Sequence, residues 1–128
     1  MSDRLACPCC GVAGCTPELV MALADLEKTA GHQAVTSGYR CEQHQSNLRL
    51  AWVRGKIEWD KDHPGEKYTS PEPALHSKHS TGTAIDVLCA KETQPDLITK
   101  AGSAGFCGVG VGDGFLHFDL GPVRAWVY

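Results

Sequence analysis

At 128 residues the chain has the length of one ordinary domain, and a hydrophobic fraction of 42% is enough for a single core. The formal net charge of −3 comes with no basic block, so nucleic-acid or anionic-membrane binding has no electrostatic support. No apolar run is long enough to span a bilayer, and the opening Met1-Ser2-Asp3-Arg4-Leu5-Ala6-Cys7 lacks the apolar core of a secretory signal, so synthesis in the cytoplasm without membrane insertion is expected.

Residues 1–16 are an arm rich in Cys, Gly and Pro, irregular by composition. Thr16 before Pro17 and Glu18 is a good N-cap with proline at the first helical position. Leu19, Val20, Leu23 and Leu26 follow at helical spacing as far as Gly31, and the pattern predicts a helix over 17–30. Gln33–Ser37 reads as a short strand entering the turn Gly38-Tyr39-Arg40. Leu48, Leu50, Trp52 and Val53, interleaved with Arg49, Arg54 and Lys56, predict a second helix over 42–56. Residues 60–74 are polar and proline-rich and are expected to form a long surface loop, a feature that is often functional in a compact domain. Thr83–Leu88 is expected as a buried strand and Pro95–Ala104 as an amphipathic helix closed by Gly105. Gly108–Val111, Phe115–Leu120 and Val123–Tyr128 are then short strands, joined by turns too short for crossovers. Helices and strands do not alternate regularly. The expectation is one α+β domain, residues 1–128, with a small antiparallel sheet.

The chemistry concentrates in two stretches. One is Ser77-Lys78-His79-Ser80-Thr81-Gly82-Thr83-Ala84-Ile85-Asp86, and the other runs from Gly108 through Asp113 and Gly114 to Phe115-Leu116-His117-Phe118-Asp119. An Asp in the middle of an apolar strand is costly to bury unless it is paired or bound to a metal. The competing reading of Asp86 is an edge-strand residue facing solvent. Strand alternation puts Phe115, His117 and Asp119 on one face and Leu116, Phe118 and Leu120 on the other. If the first face meets His79 and Asp86, the product is a His/Asp/His metal site with a further carboxylate beside it. Three protein ligands and an open position form the pattern of catalytic zinc, and the extra carboxylate suits proton transfer.

Four blocks occur in a specific order. They are Thr36-Ser37-Gly38-Tyr39-Arg40-Cys41-Glu42-Gln43-His44; Ser77-x-His79-x-x-Gly82-x-Ala84-x-Asp86; Gly105-Phe106-x-Gly108-Val109-Gly110-Val111; and Phe115-x-His117-x-Asp119-x-Gly121-Pro122-Val123-Arg124-x-Trp126. From about Glu18 onward the chain resembles the zinc D-Ala-D-Ala carboxypeptidase and peptidoglycan endopeptidase family, which has the hedgehog/DD-peptidase fold. The resemblance implies helices on one side of the sheet, zinc as cofactor, and His79, Asp86 and His117 as its ligands. It implies Arg40 as the cation that holds a substrate carboxylate or polarises the scissile carbonyl, and Ser77 near the substrate. A simple turn role for Ser77 competes with that. His76 neighbours the motif in sequence and is expected to line the cleft.

The implied reaction is hydrolysis of peptide bonds in peptidoglycan stem or cross-link peptides, with carboxypeptidase and endopeptidase cleavage both open. A stand-alone catalytic domain suits a phage or prophage lysis or tail enzyme, acting on the wall once exported or released. Some relatives carry a Glu three residues before the last His ligand; here Gly114 stands there. Asp119 is the favoured general base or supporting partner and Asp113 the alternative, while Asp119 as third ligand in place of His117 also stays open.

Seven Cys leave at least one thiol outside any intramolecular disulfide. Cys7-x-x-Cys10 has the spacing of a metal knuckle, and Cys41-x-x-His44 would complete a Cys3His structural zinc site. Disulfides tying the arm down, for instance to Cys41, and free thiols in a reducing cytoplasm are the competing readings. Cys89 and Cys107 sit in apolar contexts and are expected as core thiols. No Cys lies in an activated turn, so a cysteine nucleophile is not expected. His63 is expected to be solvated, and His32 to carry its charge near a helix C-terminus. Trp52, Trp59 and Tyr68 flank the long loop, as core residues or as a wall for substrate. Two rivals to the peptidase remain: a metal-containing peptide-binding module of the same fold without catalysis, kept open by Gly114, and a redox or metal-handling protein built on the Cys-rich arm. The sequence fixes no oligomeric state.

Overall fold

The computed structural model describes residues 3–70, 72–73 and 77–128. Thr16 caps the first helix through its hydroxyl, which accepts the Leu19 N–H at 3.2 Å, and α1 runs over Pro17–Ala30. Leu19, Ala22, Leu23 and Leu26 form its buried stripe. That stripe shares one core with Leu97 and Ala101 of α3 (Gln94–Ser103), Ile85 and Val87 of β2 (Ala84–Leu88) and Leu116 and Phe118 of β4 (Phe115–Asp119). Each fully buried Leu, Ile or Phe contributes about 2 kcal/mol. The expected alternation on β4 therefore holds: its even-numbered residues face α1 and α3, and its odd-numbered residues face the other way.

Among the described residues five strands form one sheet, in the order β1-β2-β4-β3-β5, with β1 at Val35–Ser37, β3 at Gly108–Gly112 and β5 at Arg124–Val127. The α+β class stands, but the sheet is mixed, not antiparallel. Strand β5 runs parallel to β3, with Gly110 opposite Trp126. Both edges of β4 are already taken, by β2 and by β3. The short link after Asp119 therefore carries the chain past the end of β3 to its outer edge, where a strand leaving β4 must point the same way as β3.

The second helix, α2, spans Glu42–Asp62 and is longer than the apolar pattern indicates. Ion pairs Lys56–Asp60 (2.8 Å) and Lys61–Glu58 (3.2 Å) support the extra turns. Residues 60–62 of the expected loop are thus helical, and Pro71 and Ala74 lie outside the described residues. His63 is half-buried rather than fully solvated: it ends α2 and stacks on Trp59 with ring centroids 4.1 Å apart. Trp52, Trp59 and Tyr68 pack on one another between α2 and the following loop, apart from the main core. His32, largely exposed, lies 3.4 Å from Glu27.

The N-terminal arm is docked. Leu5 enters the core, and its carbonyl accepts the Tyr39 N–H at 2.9 Å. Arg4 holds both Glu27 carboxylate oxygens (3.0 and 2.7 Å) and the Gln33 carbonyl (2.6 Å). Cys89 is a core thiol, but Cys107 is exposed, because it lies outside the core on the approach to β3. Among the described residues no helix is long and apolar enough to cross a membrane.

Candidate metal centres and cleft

The site is built by the register of the central strands. Pairing of β2 with β4 sets Asp86 opposite His117 and Ala84 opposite Asp119. Pairing of β3 with β4 sets Gly108, Gly110 and Gly112 opposite Asp119, His117 and Phe115. A Cβ at Gly110 would sit 2.7 Å from the Trp126 ring, and one at Gly108 would overlap the Asp119 carboxylate. The alternate glycines therefore leave the space that the polar residues of β4 and the side chains of β5 occupy on this face. Asp86 is not an edge residue facing solvent: β2 is flanked by β1 and β4, and the Asp86 side chain is only 14% exposed.

His79 reaches the same point from the turn before β2. Its Nδ1 lies 2.7 Å from the Gly38 carbonyl, which makes Nδ1–H the donor and leaves Nε2 with its lone pair, 3.2 Å from Asp86 Oδ1. In His117, Nε2 lies 2.7 Å from Asp119 Oδ2, and Nδ1 lies 3.0 Å from the same Asp86 Oδ1. One ligand atom from each of His79, Asp86 and His117 falls within 4.8 Å of the other two. Each imidazole thus has one nitrogen anchored by an oxygen behind it and the other aimed at a shared centre. That is the arrangement in which outer partners orient metal-ligating histidines, and the donor set of two imidazoles and a carboxylate fits zinc.

Asp119 is fully buried and fully used. Its oxygens accept from Gly121 N–H (2.9 Å), from both terminal nitrogens of Arg124 (2.9 and 2.8 Å) and from His117. Burial would raise its pKa, but the hydrogen bonds from His117, Arg124 and Gly121 outweigh it and hold the carboxyl well below the usual range. Of the roles open to Asp119, the geometry matches the supporting partner of His117. It does not match a base, because the carboxylate is sealed, nor a ligand, because it lies behind the imidazole.

Asp86 is likewise depressed: burial opposes, and hydrogen bonds with His117 and His79 prevail. Burial lowers the pKa of His117, but contact with the Asp119 and Asp86 carboxylates raises it on balance. Arg40 is committed as well. It donates to Asp86 Oδ2 (3.0 Å), Ser37 Oγ (2.9 Å) and Gln45 Oε1 (3.4 Å), and so turns the other Asp86 oxygen to the histidines.

These residues floor a cleft of about 510 Å³. Ser77 lines it, and its hydroxyl accepts the His79 N–H at 3.1 Å, the local contact of a turn residue. Asp113 is exposed at the β3–β4 turn and does not line the cleft. His76 lies outside the described residues. The cleft residues to which the sequence reading gave no role include Lys78, Glu72, Trp126 and Tyr128. Among the described residues the Lys78 ammonium has no ion-pair or hydrogen-bond partner, whereas Glu72 pairs with Arg49 at 3.1 Å. Lys78 stands next to the candidate ligand His79 in sequence, a signal that could have been used. Glu72 is brought in by the loop, and no spacing rule points to it.

A second cluster lies on the arm. Cys7, Cys9, Cys10 and Cys41 each place a sulfur within 4.8 Å of the others. The expected fourth member, His44, is replaced by Cys9: His44 sits in the first turn of α2, and its backbone N–H, not its ring, meets Cys41 Sγ at 3.4 Å. Disulfides are absent among the described residues, and the thiols are free. Burial acts to raise the Cys7 thiol, but the backbone N–H groups of Cys41 and Cys9 and the neighbouring sulfurs bring it down to about 6. Hydrogen bonds to the Cys41 and Cys7 sulfurs push Cys9 up to about 12. Proton sharing of this kind concentrates negative charge on one sulfur of a group that could jointly hold a cation. No protein-family model, curated protein or solved structure matches the chain.

Proposed function

We propose that the protein is a zinc-dependent hydrolase of peptide bonds, of the hedgehog/DD-peptidase type, acting on stem or cross-link peptides of peptidoglycan. The observation that carries this reading is the aim of two imidazole nitrogens, each with its opposite nitrogen anchored, at one oxygen of the part-buried Asp86 at the floor of an open cleft. His79, Asp86 and His117 would hold the zinc, which when bound supplies a lowered pKa for water and polarisation of a carbonyl.

The protein's own residues divide the remaining tasks. Gly38 and Asp119 fix the two ring tautomers. Arg40 holds Asp86 in register and adds positive charge to the cleft wall, where charge develops on a carbonyl oxygen. Lys78, whose ammonium has no partner among the described residues, takes the substrate carboxylate, the task that the resemblance assigns to Arg40. Glu72 is the cleft carboxylate outside the ligand set and accepts the proton of the attacking water, in place of the missing Glu at Gly114. Phe115, Trp126 and Tyr128 give the cleft an apolar wall suited to short side chains. Release at the cell wall by export or by a phage follows from that substrate.

The test is mass-spectrometric analysis of peptidoglycan stem peptides incubated with zinc-loaded protein. Wild type should shorten them, and Glu72→Gln should slow the reaction by about 10²–10⁴-fold with zinc content unchanged. Zinc-loaded wild type that binds the peptides without cutting them sinks the hydrolase reading. It favours the binding module of the same fold, which the sealed position of Asp119 supports.

A further inference from the structure

The four sulfurs of the arm play no part in the cleft, and their geometry calls for a separate account. A tetrahedral zinc with Zn–S bonds of about 2.3 Å sets its sulfurs ~3.8 Å apart, so a quartet within 4.8 Å closes around one ion. Cys9 Sγ lies 3.4 Å from Cys7 Sγ and 3.2 Å from Cys41 Sγ, well beyond the ~2.05 Å of a disulfide bond. Backbone donors already serve the sulfurs. Cys41 N–H points to Cys7 Sγ at 3.4 Å, and Cys41 is the N-cap of α2, so its sulfur receives the His44 N–H at the positive end of a 21-residue helix. The knuckle itself is closed by Gly11 N–H to Cys7 carbonyl (2.8 Å) and Cys7 N–H to Val12 carbonyl (3.0 Å). The Cys41 and His44 N–H groups aimed at Cys7 Sγ and Cys41 Sγ favour thiolate over thiol, and the two backbone bonds fix the turn that brings the sulfurs together.

We propose that Cys7, Cys9, Cys10 and Cys41 bind one zinc ion as a four-thiolate structural site, separate from His79, Asp86 and His117, that pins the N-terminal arm to the first turn of α2. The thiol protons leave to solvent on binding. Cys41 directly follows Arg40, whose guanidinium holds Asp86, so the ion also restrains the segment that braces the cleft ligand.

The experiment uses the full chain carrying His79→Ala and His117→Ala, purified from zinc-containing medium without chelator. Metal content is measured, and zinc is exchanged for cobalt to read thiolate-to-metal charge-transfer absorption. One zinc per chain, a tetrahedral thiolate–cobalt spectrum, and protection of the exposed Cys9 and Cys10 from a thiol reagent until a chelator is added are expected. Cys10→Ser should lose the ion and unfold at a lower Tm. Cys107→Ser, which removes an exposed thiol outside the cluster, should keep it. His44→Ala should keep the four-sulfur spectrum and Cys9→Ser should lose it. If the double variant does not fold, the same absorption in the wild-type chain answers, because imidazole and carboxylate give no thiolate band. Absence of that band, thiols that react alike with and without zinc, or Cys9→Ser retaining the ion while His44→Ala loses it would overturn the proposal.

Discussion

The two candidate metal sites are built on opposite principles. The His79/Asp86/His117 group draws two of its three members from adjacent central strands, and every ligand has a protein partner behind it: Gly38 for His79, Arg40 for Asp86, Asp119 for His117. The Cys7/Cys9/Cys10/Cys41 group draws three of its four from an irregular arm, and its sulfurs are oriented by backbone turns and a helix N-terminus. A strand site is held by the sheet and its outer partners before any ion arrives. An arm site depends on the ion itself for much of its rigidity. The comparison teaches where to expect preorganisation and where to expect metal-coupled folding.

The largest effect expected is that of His79→Ala. It should remove zinc from the cleft and bring the proposed peptide hydrolysis to background, while any zinc at the cysteine cluster stays; loss of both ions together would show that the sites are one cooperative unit. Metal analysis and peptide cleavage on the same sample decide this. Asp119→Ala should come next. It strands His117 and Arg124 and should cost about 3 kcal/mol, with zinc affinity at the cleft falling ~10–100-fold. Chemical denaturation and metal competition measure the two consequences, and an unchanged affinity would remove Asp119 from the role of orienting His117.

A smaller change is expected for Gly110→Ala. Its Cβ meets the Trp126 ring at 2.7 Å, so the variant should lose about 1–3 kcal/mol in denaturant unfolding and displace the cleft wall. Unaltered stability would mean that the sheet yields more easily than the strand site implies.

The smallest is pH-dependent and concerns the arm. Arg4 hydrogen bonds hold Glu27 below its ordinary 4.5 against the opposing effect of burial. A carboxyl depressed by folding contributes its stability above the unfolded pKa and loses it as pH falls through the folded one. Wild type should therefore lose stability below about pH 4.5, and Arg4→Ala should show a weaker descent there, with about 2 kcal/mol missing at neutral pH. An identical acid slope for the two proteins would mean that the arm is not held by this pair.

Local signals carried much of the fold. The Thr16-Pro17 cap and the Leu stripe located α1 because a cap and a helical period are properties of neighbouring residues. Alternation on β4 separated Leu116 and Phe118 from His117 and Asp119 for the same reason. The extension of α2 past Lys56 was missed because ion pairs and the Trp59–His63 stack, not apolar spacing, sustain it. The link from β4 to β5 gave no sign of a parallel pair, since which edge of a sheet is free is a property of the whole sheet.

What the sequence determined by itself was the α+β class, the helix and strand positions apart from the C-terminal end of α2, and the candidacy of His79, Asp86 and His117, because covalent order and period settle those. Tertiary structure alone decided that Asp119 stands behind His117, that Arg40 is spent on Asp86, that Glu72 and Lys78 reach the cleft, and that Cys9 joins the sulfur cluster in place of His44. Apart from the His117–Asp119 pair, which are neighbours on one face of β4, these turn on distances between groups far apart in the chain, set by strand register and by where the arm and loop come to rest.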